Sequence, residues 1–162
     1  MIIAAYAGTG KTTLANMYPD KIVDFVAMPY KYHLEQGIDS AECEKLKASY
    51  GFEMLQESWP ANYVSAIKEA LGYGKILLIP SSRLVLRYLE NENIPYTLCY
   101  PQRDAKEVYR QRFLDRGNTN GFLEIFIDGW DNFMDSLESD TFGKHIVMQP
   151  HQFLSDVVSL PN

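Results

Sequence analysis

Residues 2–13 read Ile2-Ile3-Ala4-Ala5-Tyr6-Ala7-Gly8-Thr9-Gly10-Lys11-Thr12-Thr13, a short apolar run that passes through two glycines into a lysine and paired threonines. The apolar residues read as a strand, and Leu14-Ala15-Asn16-Met17-Tyr18 read as a helix stopped by Pro19. Between them, A-x-x-x-x-G-K-T from Ala5 to Thr12 has the spacing of a phosphate-binding loop, with Ala5 where a glycine usually opens the motif. Small, flexible residues allow successive backbone N–H groups to curl around a triphosphate. On this reading Ala7, Gly8, Thr9, Gly10 and Thr13 line the phosphates. Lys11 supplies a point charge for the β- and γ-phosphates, Thr12 a hydroxyl for Mg²⁺, and the following helix its positive end.

Working outward, Lys21 to Val26 reads as a second strand with Asp24 near its carboxyl end, the edge where open α/β sheets bind ligands. Residues 27–60 are aromatic and weakly periodic, with a helix expected near Ser40 to Tyr50, and read as an acceptor-side insertion. Tyr63, Val64, Ile67, Ala70 and Leu71 then have the spacing of an amphipathic helix ended by Gly72. Lys75 to Ile79 is a continuous apolar run, as expected of a central parallel strand, and a helix starts past Ser81 or Ser82. Tyr96 to Tyr100, a helix from about Asp104 to Arg116, one unbroken helix from Phe122 to Leu137, a strand at His145 to Met148 and a terminal helix complete the chain. Strand–helix alternation calls for a parallel sheet with right-handed crossovers, and nothing in residues 1–162 suggests a division into two domains.

The helix from Asp104 carries the second chemical signal. Ala105, Val108 and Tyr109 define an apolar stripe into which Arg112 and Arg116 fall, so both arginines are expected to point inward. A buried guanidinium needs an anion; a nucleotide phosphate and a carboxylate on a neighbouring helix both qualify. Asp24 reads equally as a magnesium contact, as a base for an acceptor hydroxyl, or as an ordinary strand-end acid. Arg83 is placed either to hold an acceptor phosphate or in a solvated first helical turn. Tyr30, Tyr32, Phe52 and Trp59 could stack on a nucleobase, although aromatic residues at such density are more often core.

The formal charge of −6 leaves no basic stripe outside one helix, which speaks against nucleic acid as a partner and for small molecules. No run reaches the length of a membrane span, and Met1 leads directly into the first strand, so a cytoplasmic location is expected. Cys43 and Cys99 form neither a metal spacing nor a disulfide framework, and His33, His145 and His151 show no ligand pattern.

With Trp59-Pro60-Ala61-Asn62-Tyr63, Ile76 to Ser82, Tyr100-Pro101, Tyr109-Arg110-Gln111-Arg112, Arg116-Gly117-Asn118, Gly129-Trp130-Asp131 and Gln152 to Asp156, the loop resembles the P-loop nucleoside and nucleotide kinase group. It is most similar to small kinase-like P-loop proteins of bacteriophages and their hosts. The resemblance implies a three-layer α/β fold with a five-stranded parallel sheet in the order 2-3-1-4-5 and helices on both faces. It also implies ATP and Mg²⁺ as donor and metal, and a lid over residues 101–120 whose Arg112 and Arg116 close on the transferred group. The aspartate-glycine-x-proline-arginine element of many monophosphate kinases is replaced here by Pro80-Ser81-Ser82-Arg83. The expected activity is phosphoryl transfer to a nucleotide, nucleoside or similar small acceptor; a nucleotide-gated switch and a kinase of nucleic-acid ends are the rivals.

Overall fold

The computed structural model describes residues 1–32 and 56–160; the expected helix at 40–50, with His33, Cys43 and Phe52, lies outside them. Five parallel strands form one sheet: β1 (Ile2–Ala5), β2 (Ile22–Asp24), β3 (Ile76–Pro80), β4 (Thr97–Pro101) and β5 (Lys144–Met148). Their order is β2-β3-β1-β4-β5, the order that the resemblance implies. β1 is central, with Ile3 in register with Leu78 of β3 on one side and Thr97 of β4 on the other.

The period of two in a strand sorts its side chains between two cores. Ile2, Ala4 and Tyr6 join Leu77, Ile79, Leu98 and Tyr100 on one face. There they meet α3 (Ala61–Leu71), α4 (Arg83–Asn91), α5 (Lys106–Asp115) and α7 (Trp130–Glu138). Ile3, Ala5, Ile76, Leu78 and Cys99 face the other way. That face is covered by α1 (Lys11–Met17) and α8 (Leu154–Val157) through Leu14, Ala15 and Leu154. A remaining short helix, α2 (Met28–Lys31), follows β2. Buried Cys99 has its thiol pushed up to about 12 by loss of water.

One element differs from expectation. The apolar period from Phe122 to Leu137 runs through α6 (Asn120–Leu123), a π-helical turn (Glu124–Asp128) and α7 rather than one continuous helix. Gly129 marks the join, because a Cβ there would sit 2.5 Å from the Ile125 carbonyl oxygen. The turn keeps Phe126 beside the loop: the Tyr6 hydroxyl donates to the Phe126 carbonyl at 2.6 Å, and the two rings meet edge to face.

A polar hub lies at the amino ends of β4 and β5. Asp140, 5% exposed, accepts from the Tyr96 hydroxyl at 2.6 Å and the Arg83 guanidinium at 2.8 Å. Its other oxygen accepts from the Phe142 and Gly143 amides. Burial opposes this charge, and the hydroxyl, amide and guanidinium contacts outweigh burial, holding the carboxyl below its ordinary range.

Candidate active site

The glycine-containing loop leaves the carboxyl end of β1 and is shaped by left-handed glycines, Gly8 at φ +75° and Gly10 at φ +92°. Neither accepts a larger residue easily: a Cβ on Gly8 would lie 2.7 Å from the Phe113 ring. Thr9 is wholly buried, and its hydroxyl donates to the Tyr6 carbonyl at 2.8 Å. Among the described residues, the amides of Ala7, Gly8, Thr9, Gly10 and Lys11 donate to no backbone or side-chain acceptor. Such a run of uncommitted N–H groups is the physical signature of an anion cradle.

Lys11 folds back over this cradle, its ammonium donating to the Ala5 and Tyr6 carbonyls at 3.1 and 3.2 Å. Its pKa is lowered to about 8. Loss of water is the largest cause; nearby Asp24 opposes the shift and Arg116 reinforces it. The Thr12 hydroxyl donates to Asp24 Oδ2 at 2.5 Å, so the two residues expected to serve a metal stand together. A hydroxyl and a carboxylate are among the hard oxygen donors that Mg²⁺ takes. Among the described residues there is no group of three or more acidic, histidine or cysteine side chains that could hold a metal ion by itself.

The two arginines separate. The buried stripe of the helical segment is Ala105–Tyr109–Phe113, so Arg112 is half-buried at its margin and Arg116, at the C-cap, is exposed. The expectation that both point inward is thus corrected for Arg116, because the helix ends there and the chain turns away at Gly117. Among the described residues Arg112 makes no ion pair with a carboxylate. Its guanidinium stacks on Phe153 at 4.0 Å and on Tyr109 at 4.6 Å, and donates to the carbonyls of Gly8, Pro150 and Gln152. Beside it lies a cleft of about 570 Å³ lined by Glu107, Val108, Gln111, Arg112, Asp115, His151 and Phe153.

Of the aromatic residues expected on an acceptor side, Tyr30 stacks on Phe25 and Trp59 on Tyr63, with ring centroids 5.8 and 5.6 Å apart. Phe25 and Tyr63 stack in turn, which makes the four rings one ladder. The Tyr63 hydroxyl bonds the Phe25 carbonyl, next to Asp24. Tyr32 is buried, under the Lys31 ammonium. Gln56 and Asn62 hold α2 through the carbonyls of Pro29, Tyr30 and Tyr32. Arg83 stands apart from this group. Its guanidinium pairs with Asp140 at 2.8 Å.

Tyr6, Phe153 and His151 were given no role at the site from the sequence, yet Tyr6 meets the loop and Phe153 and His151 line the cleft beside Arg112. Phe153 is readable in retrospect, since it follows the carboxyl end of β5, on the sheet edge where the loop also lies.

No family model and no curated protein matches the chain. Among solved structures it is similar to a gluconokinase from Sinorhizobium meliloti 1021, with 15% identity, 96% of this chain and 85% of that chain covered, and a TM-score of 0.49. No helix among the described residues is long and apolar enough to cross a membrane.

Proposed function

We propose that this chain transfers a phosphoryl group from ATP to a nucleotide, nucleoside or similar small acceptor. The observation that carries the reading is the contact of Thr12 with Asp24 beside a lysine folded over a cradle of uncommitted amides. Catalysis of phosphoryl transfer rests mainly on positioning and charge stabilisation, and each part has a candidate here. The amides of residues 7–11 bind the phosphates, and Lys11 exchanges its carbonyl partners for phosphate oxygens. Mg²⁺, when bound, offsets phosphate charge; Thr12 and Asp24 are the residues that hold it. The donor base enters the cleft between Phe153 and the Glu107–Asp115 face of α5.

Arg116 is near enough to depress the Lys11 pKa and, among the described residues, makes no ion pair of its own. It is therefore the arginine able to follow the migrating charge. The Phe25–Tyr30–Trp59–Tyr63 ladder, close to Asp24, supplies the acceptor side. Arg83 is already neutralised by Asp140 and takes no part.

The test is a screen of purified protein with Mg·ATP against nucleosides, nucleoside monophosphates and other small hydroxylated acceptors, reading ADP formation and Trp fluorescence. One acceptor is expected to raise ADP above background and to change the Trp59 signal saturably. ATP binding with no ADP from any acceptor would move the reading to a nucleotide-gated switch.

A further inference from the structure

Two peptide units of the phosphate loop are gripped from outside it. Arg112 Nη1 donates to the Gly8 carbonyl at 3.2 Å, and the Leu154 amide donates to the Thr9 carbonyl at 2.9 Å. In a trans peptide the carbonyl oxygen and the following N–H point in opposite directions. Each grip therefore turns one amide, that of Thr9 or of Gly10, away from the gripping group, and neither amide has another acceptor among the described residues.

The gripping guanidinium is itself immobilised. Nη2 donates to Pro150 and Gln152 carbonyls at 3.0 and 3.2 Å, and the central carbon lies 4.0 Å from the Phe153 ring centroid and 4.6 Å from that of Tyr109. Phe153 also closes on the loop directly, 3.2 Å from where a Gly10 Cβ would be. With both terminal nitrogens on carbonyls, this side chain spans from residues 150–152 to Gly8.

We propose that Arg112 is a positioning residue that presets the Thr9 amide as a phosphate donor, rather than a group that meets the transferred phosphoryl. The proposal rests on the reading of residues 7–11 as a polyphosphate site. It explains why arginine stands here: its planar fork donates in two directions at once while its face stacks, whereas a lysine ammonium can neither fork nor stack in that way.

The test uses inorganic tripolyphosphate, which has no base to occupy the cleft, with wild type, Arg112→Met and Arg112→Lys. Affinity is read by calorimetry, the Thr9 and Gly10 amide resonances by NMR, and folding by thermal melts. Arg112→Met retains bulk beside the rings and loses the donors; it is expected to weaken tripolyphosphate about tenfold or more and to shift the ligand-free Thr9 resonance. Arg112→Lys keeps the charge and is expected to recover only part of the affinity. Full recovery by lysine with an unmoved Thr9 resonance would mean that charge alone matters, and overturns the proposal. So does Arg112→Met with unchanged tripolyphosphate affinity and lost turnover, which would return Arg112 to the reacting group. Wild type that fails to bind tripolyphosphate refutes the polyphosphate site itself, and the proposal with it.

Discussion

The Thr12 hydroxyl and the Asp24 carboxylate lie 2.5 Å apart, although β2 is separated from β1 by the whole of β3. The contact exists because α1 starts at the loop and crosses toward β2, bringing its first turn to the strand's carboxyl end. If the pair serves Mg²⁺, replacing Asp24 by Asn should raise the metal concentration for half-maximal turnover at least tenfold. Metal-free ATP should bind as well or better, since one negative charge facing the phosphates is gone. Titration of turnover with Mg²⁺, and calorimetry with ATP in a chelator, check both halves.

If residues 7–11 bind a polyphosphate, Lys11 makes that binding pH-dependent in a defined direction. Its pKa without ligand is about 8, and a bound polyanion stabilises the charged ammonium, so the bound-state pKa is higher. Affinity for ATP should be highest below pH 8 and fall as pH rises through 8, with net proton uptake on binding between pH 8 and 9. Calorimetry in buffers of different ionisation enthalpy measures that uptake; release of protons instead would contradict the assignment. Lys11→Ala should remove the pH effect together with turnover.

Arg116 is exposed, and among the described residues its side chain makes no hydrogen bond or ion pair. Arg116→Ala should leave the melting temperature nearly unchanged and lower turnover on the order of a hundredfold, as expected when a charge-stabilising group is lost. Melting and initial-rate measurements on the same preparation separate the two effects.

Asp140 should behave oppositely. Its side chain is 1% exposed and pairs with Arg83, and removing one partner of a buried pair strands the other groups. Asp140→Ala should cost about 3 kcal/mol of stability while ATP affinity of the folded protein is retained. Because the native carboxyl titrates below its unfolded value, its contribution is complete above the unfolded pKa and fades as pH falls through the native one. Urea denaturation of wild type and variant at neutral and acidic pH should show the gap between them closing toward low pH.

What was legible in the chain follows from how each feature is encoded. Lys11 and Thr12 belong to one contiguous motif whose chemistry is local, and strand–helix alternation dictated a parallel sheet. Asp24 was readable as a candidate because strand ends in such sheets face ligands, but its direct hydrogen bond from Thr12 was not, since the spacing of the two strands is set by nonlocal packing. The partner of Arg83 lies 57 residues away, in a turn with no motif. The acceptors around Arg112 are backbone carbonyls, which no side-chain pattern announces. The break near Gly129 was hidden because Phe122, Phe126, Trp130 and Phe133 keep a helical period across a turn that takes in one extra residue.

Cys99 lies against the central strand, its thiol shielded and pushed up to about 12. Such a sulfur is inert to alkylating reagents until the sheet parts, so in a Cys43→Ser background its labelling rate becomes a clock for opening of the molecule's middle. Any ligand that binds only the closed sheet should slow that clock in proportion to its occupancy, and mass spectrometry can read it without knowledge of the substrate.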